Sequence, residues 1–321
     1  MAFLLDSLRT PTRRVVRRFA LATLAANVVI VVTGSAVRLT GSGLGCPTWP
    51  RCTDDSFVAR GELGLHGVIE FGNRTLTFAI AVVAIATWVV VLRTRPRRRS
   101  LLLAATALAL SVPAQAVLGG VTVLTDLNPW VVAVHLLFSL AIISFAVVFV
   151  RRVDESDRPP RPTVAPPAVL LARLTYAVTW VVLAVGTVVA GSGPHAGDEE
   201  APRNGLDPAV VSQIHADAVF VLLGLTVGTW LCLRASGAPE RARRAAGWFL
   251  VVLLAQGLIG ATQYALDLPI LLVGLHVLGA AVVAATATWM MLGLRDRGHA
   301  STTEHATAVH VPAASDRVAA P

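Results

Sequence analysis

Apolar positions in this chain run in long unbroken stretches, not in the short alternations of a strand or the one-sided stripe of a water-exposed helix. Eight stretches stand out, at roughly 17–38, 67–92, 101–124, 130–150, 169–191, 208–233, 246–266 and 270–294. Each has about the 20 residues a helix needs to cross a hydrocarbon core. The first is too long, and too polar at its end, to be a cleaved signal peptide. A segment rich in Pro and charge, 154–168, splits the spans into four and four. The pattern therefore predicts an all-α integral membrane protein with eight transmembrane helices in two four-helix bundles. Residues 1–153 form the first bundle, 154–168 the linker, 169–294 the second bundle and 295–321 a disordered tail.

Composition narrows the class further. Hydrophobic residues make up 55% of the chain and charged residues 14%, against about 25% charged in a soluble domain. That excludes a soluble enzyme, a disordered chain and a disulfide-rich secreted scaffold. All 27 basic residues are Arg and the formal charge is +8. They cluster before the first span (Arg9, Arg13, Arg14, Arg17, Arg18) and in alternate loops: Arg93–Arg99, Arg151–Arg161, Arg234–Arg244 and Arg295–Arg297. The other loops hold only Arg38, Arg51, Arg60 and Arg203. By the positive-inside rule both termini, the linker and the tail are cytoplasmic, and the loop 39–66 is on the outer side. The basic excess encodes orientation in a lipid bilayer rather than nucleic-acid binding. His299, His305 and His310 fall in the tail and are given no role.

The two halves repeat. Gln115-Ala-Val-Leu-Gly119 matches Gln256-Gly-Leu-Ile-Gly260 at an offset of 141 residues, as Asp126-Leu127 matches Asp267-Leu268 and His135 matches His276. Gly34-Ser35 is paired with Gly191-Ser192. An even number of spans per half makes the repeat parallel, about an axis along the membrane normal.

Ionisable groups inside spans are costly and default to functional candidates. His135, His215 and His276 sit at matched depth, about one to two turns below the outer surface. His215 and His276 come from different helices of one bundle, and two imidazoles facing across a bundle can clamp a haem iron. A zinc site, which needs about four ligands, is disfavoured. In the first half the counterpart of His215 falls at Asn73, within His66-Gly-Val-Ile-Glu70-Phe-Gly-Asn73-Arg74. Glu70, Asn73 and Arg74 share one helix face, and His66 is too far along the helix to replace Asn73. Glu70 reads as an acid–base group beside an open haem face, or with Arg74 as a structural ion pair; Arg74 can alternatively contact haem propionates.

The outer loop Thr40-Gly-Ser-Gly-Leu-Gly-Cys46-Pro-Thr-Trp-Pro-Arg-Cys52 is turn-rich. Its two Cys lie in an oxidising compartment where disulfides persist; a small ring there is structural or redox-active, with the structural reading favoured. Cys232 reads as inert packing. In the matching loop, Gly191-Ser-Gly-Pro-His195-Ala-Gly-Asp198, His195 reads as a hydrogen-bonding residue.

In this order, the Cys46–Cys52 loop, Glu70-Phe-Gly-Asn73-Arg74, the Gln115 motif, His135, Gly-Pro-His195-Ala-Gly-Asp198, His215 and Gln256 through His276 resemble the haem A synthase family. The likeness covers about residues 20–294. It implies haem b held by His215 and His276, and haem O as substrate near His135, with Asn73 and Arg74 in its pocket. It further implies catalysis by Glu70, pairing of Cys46 with Cys52, and oxidation of the C8 methyl of haem O to formyl with water as an oxygen source. Haem O synthase and cytochrome oxidase assembly factors are the implied partners, at the cell membrane. Asn73 departs from the family, which usually has His there. Two other classes compete: a di-haem b-type electron carrier, which Asn73 disfavours, and a haem-handling transporter or chaperone. Oligomeric state and electron acceptor are not legible.

Overall fold

A computed structural model describes residues 10–300. Its eight long helices are α1 (Arg13–Leu39), α2 (Gly64–Leu92), α3 (Arg99–Leu124), α4 (Pro129–Asp154), α5 (Pro166–Ser192), α6 (Pro208–Ala235), α7 (Glu240–Ala265) and α8 (Ile270–Gly293). All eight are long and apolar enough to span a membrane. Large apolar side chains such as Phe78, Phe220, Leu258 and Leu271 are 70–74% exposed, a surface suited to lipid and not to water. The chain is a multi-pass membrane protein, as its apolar pattern predicts.

Helix starts follow local chemistry. Asn128 and Asp207 cap α4 and α6 by accepting from backbone N–H groups of the first turn, and each is followed by Pro at the first helical position, where its missing N–H costs nothing. The turns into α4 and α8 are unusual. Asp126 and Leu127 have φ of 50° and 56°, and Asp267 and Leu268 have 57° and 60°. A left-handed L-residue costs about 1–2 kcal/mol. The same closing bond offsets this at both sites: Leu127 N to Thr122 O and Leu268 N to Gln263 O, each 2.8 Å. Each turn delivers a helix whose seventh residue is His135 or His276.

Helices α1 to α4 pack as a ring of sequential neighbours closed by α1 against α4, and α5 to α8 form a second such ring. Among the described residues the diagonal helices, α2 with α4 and α6 with α8, are not packed together. The seam between rings is made by α4 and α1 against α8 and α5. It places Val31, Leu140 and Ile143 in one buried cluster with Ala281, Ala284 and Ala287, and Ser144 Oγ donates to Ala284 O at 3.3 Å. Lipid tails are as apolar as Leu, so association here rests on close packing and interhelical hydrogen bonds. Each ring has one such buried bond at matching height, Thr23 to Thr87 and Thr175 to Thr229, both 2.8 Å between hydroxyls.

Residues 295–300 depart from the disordered-tail expectation. Strand β2 (Arg295–Asp296) pairs antiparallel with β1 (Arg161–Pro162) in the linker. Ser156 N donates to Gly298 O at 2.9 Å, and Ala300 N to Asp154 O at 3.1 Å. Glu155, 4% exposed, anchors the clasp through Arg151, Arg152 and Arg297. Backbone pairing and buried charge outweigh the polar composition. Residues 301–321, with His305 and His310, and residues 1–9, with Arg9, lie outside the described residues.

Candidate functional site

Each candidate ligand lies on the inward stripe of its helix. On α2, Glu70, Asn73, Ile80, Ala84, Thr87 and Val91 follow one another at helical three-and-four multiples, and all but Asn73 are buried. His215 continues the buried line of Leu222, Thr226, Thr229 and Leu233 on α6. His276 continues Gly279, Val283, Ala287 and Met290 on α8, and His135 continues Ile142, Ala146, Phe149 and Val153 on α4. The four positions therefore project into the two rings from the diagonal helices, α2 with α4 and α6 with α8.

The three imidazoles share two features. Nδ1 of His135, His215 and His276 is buried without a hydrogen-bond partner. A histidine that merely glues helices satisfies its ring nitrogens, because an unpaired buried polar atom costs about 1–3 kcal/mol. Each ring also lies against a glycine of the preceding helix. A Cβ at Gly119, Gly186 or Gly260 would sit 3.4, 3.1 or 3.2 Å from Cε1 of His135, His215 or His276. Among the described residues no cluster of three or more His, Cys, Asp or Glu would hold a bare metal ion. Paired diagonal imidazoles with unsatisfied nitrogens, in an otherwise apolar ring, fit a haem iron, which takes its remaining ligands from the porphyrin.

The N-terminal ring carries a second construction at its mouth. Cys46 and Cys52 form a disulfide, and both are fully buried. Glu70 Oε2 accepts from Cys46 N at 2.5 Å. Glu70 Oε1 accepts from Arg74 Nε at 3.0 Å and Nη2 at 2.5 Å. Arg74 spends its other donors on Thr48 O, Arg51 O and Cys46 O, at 2.9, 3.1 and 2.9 Å. Glu70 and Arg74 thus clamp the disulfide loop onto α2. Trp49 of that loop presses on α3 at Gly120, where a Cβ would overlap its ring, one residue from the glycine beneath His135. His66 stays at the loop, with Nδ1 2.9 Å from Ser42 Oγ.

His195 is the hydrogen-bonder its loop predicts, with Nε2 3.0 Å from Leu268 O. Its own carbonyl accepts from Arg38 Nε at 2.7 Å, and Arg38 Nη2 reaches Ala190 O at 2.6 Å. Cys232 is a half-buried free thiol. Sequence reasoning missed Arg38 as a tie between halves, Thr33 as the partner of Asn73 (Oγ to Oδ1, 2.8 Å), and the ring-facing glycines. A polar Thr beside Gly34 in an apolar span was the available signal.

Comparison with known proteins finds relatives that cover most of the chain. The chain is 27% identical to the "Heme A synthase" of Symbiobacterium thermophilum over 264 residues, 77% of this chain and 85% of that protein. It is 31% identical to the "Heme A synthase" of Lysinibacillus sphaericus over 140 residues, 42% and 43% of the two chains. For that of Bacillus licheniformis the figures are 32% over 129 residues, 39% and 40%. The COX15-CtaA family, described as cytochrome oxidase assembly protein, matches residues 17–62 and 59–288. A match over most of the chain, on a scaffold of eight spans, makes this protein a member of the COX15-CtaA family.

Proposed function

We propose that this chain is a haem A synthase, a membrane oxidoreductase that converts haem O into haem A. The observation that carries the reading is the set of three inward imidazoles with unpartnered Nδ1 atoms on a family-matched scaffold. His215 and His276 would hold haem b, and His135 would receive the iron of haem O in the N-terminal ring. A bis-imidazole haem supplies one-electron transfer when bound.

Turning the C8 methyl into a formyl group with water as the oxygen source releases four electrons and four protons (R–CH3 + H2O to R–CHO). An external electron acceptor takes the four electrons, which a haem b held by His215 and His276 would relay one at a time, and the protons need an acceptor at the substrate. Glu70 is that acceptor: it lies one turn from Asn73 on the inward stripe, towards the disulfide end. Arg74 and Cys46 N aim its carboxylate. The Cys46–Cys52 loop, with Trp49, covers the mouth of the ring and shields the reacting edge from bulk solvent, apart from the water that is consumed. The protein lies in the cell membrane with both termini cytoplasmic and this loop outside, as the Arg distribution directs. Haem O synthase and oxidase assembly factors are its partners.

Pigment analysis of cells lacking the protein tests the reading: haem O accumulates and haem A disappears. Normal haem A in those cells would sink it. Glu70→Gln, expressed in the same cells, restores haem binding but less than about 1% of haem A formation, since a lost acid–base group costs at least about a hundredfold.

A further inference from the structure

The two rings can be aligned by their buried threonine bonds. Thr23 meets Thr87 and Thr175 meets Thr229, both at 2.8 Å. Thr23 Oγ also donates to Phe19 O and Thr175 Oγ to Leu171 O. Four residues on, Asn27 and Thr179 bond back to Thr23 O and Thr175 O, both at 2.8 Å. These matched bonds equate Phe19, Thr23 and Asn27 with Leu171, Thr175 and Thr179. Asn73 then stands 14 residues before Thr87 as His215 stands 14 before Thr229. Gly34 stands 11 after Thr23 as Gly186 stands 11 after Thr175. Helix contacts thus pair Gly34 with Gly186, not with Gly191 as the Gly-Ser match reads.

All four corners therefore carry a glycine on the neighbouring helix. In three of them its missing Cβ leaves room for an imidazole at 3.1–3.4 Å. In the fourth, a Cβ on Gly34 would meet nothing within 4 Å. The glycine is kept, and no imidazole lies against it. Beside it the second half has Val185 and the first half has Thr33, whose hydroxyl donates to Asn73 Oδ1 at 2.8 Å. That bond leaves the two Nδ2 donors of Asn73 to serve the interior.

We propose that the Asn73 corner is a binding place for a small exogenous ligand of the haem iron. Thr33 and Gly34 hold it open, and the Asn73 amide donates a hydrogen bond to the incoming molecule. The inference rests on His135 holding haem in the N-terminal ring. The class of ligand is a water-sized or diatomic molecule, because the corner offers the iron no imidazole where its three counterparts carry one. An amide held by a hydroxyl is a weak base, unsuited to ligating iron itself but suited to donating a hydrogen bond.

The test uses the full chain, purified and loaded with haem in both rings, with carbon monoxide on the reduced protein and cyanide on the oxidised protein as probes. One carbon monoxide should bind per two haems. Asn73→His should abolish it and give a second low-spin bis-imidazole spectrum, since the ring fits over Gly34. Gly34→Val alone should weaken carbon monoxide binding, because the Val side chain reaches into the space that Gly34 leaves open. Asn73→Leu should keep the site open and weaken cyanide about tenfold, the worth of one hydrogen bond. Two bound haems with no carbon monoxide complex in the unmutated protein would overturn this inference alone, as would full carbon monoxide binding in Asn73→His. Haem content unchanged by His135→Ala would overturn the two-ring reading on which it stands.

Discussion

The two halves share a ring of four helices, a left-handed Asp-Leu turn and a buried threonine bond, yet they differ at one corner and one loop. The C-terminal ring closes on two imidazoles and has no disulfide. The N-terminal ring offers one imidazole, one amide and a loop clamped by an ion pair. The same ring of helices carries different chemistry: one has an imidazole at both diagonal corners, the other an imidazole and an amide beside a carboxylate. The difference lies in a few side chains, because the backbone frame that aims them is the same.

The largest effect should come from removing imidazoles one ring at a time. His215→Ala or His276→Ala should strip haem b from the purified protein, read as loss of the low-spin haem spectrum. His135→Ala should leave that spectrum intact and remove only the haem of the first ring. Equal loss from all three would mean that the rings do not bind separately.

A smaller effect should separate the glycines. Gly260→Ala places a methyl 3.2 Å from His276 Cε1 and should cost about 1–3 kcal/mol of packing strain, with a shifted haem spectrum. Gly34→Ala meets nothing within 4 Å and should stabilise α1 by up to about 1 kcal/mol. Thermal unfolding in detergent reads both. A destabilised Gly34→Ala would mean that the first-ring corner is filled.

The smallest effect concerns the linker. Burial raises the carboxyl of Asp157, but hydrogen bonds from Ser100 and Arg98 and the charges of Arg98 and Arg152 outweigh it, so it titrates below the usual carboxylate value. A depressed acid contributes stability above its unfolded value, about 3.9, and loses it as pH falls through the folded value. Asp157 is 44% exposed, so the contribution is screened to about 0.5 kcal/mol. Asp157→Asn should flatten the stability curve below about pH 4 and leave neutral-pH haem content unchanged in both rings.

The spans and the three histidines were legible because apolar runs and isolated imidazoles are one-dimensional signals. Glu70 was legible as a candidate for the same reason, and its ion pair with Arg74 because the two are one helical turn apart. Its second partner was not, since Cys46 N lies 24 residues away along the chain. Thr33 and Gly34 stayed hidden because their meaning depends on how α1 is registered against α2, which only the Thr23–Thr87 bond reports. The Asp-Leu turns gave no glycine to announce a left-handed bend. Residues 295–300 gave no pattern at all, because a two-residue strand pairs through its backbone.

Arg38 connects the halves in a way that helix packing alone does not. Its guanidinium rests on two carbonyls, Ala190 O near the end of α5 and His195 O in the loop that follows, where the helix dipole is negative. His195 in turn touches Leu268, in the turn that launches the helix bearing His276. The first bundle's opening helix therefore holds the doorway of the second. The two rings are therefore not separable units: a change at Arg38 in the first should be felt at the turn that carries His276 in the second.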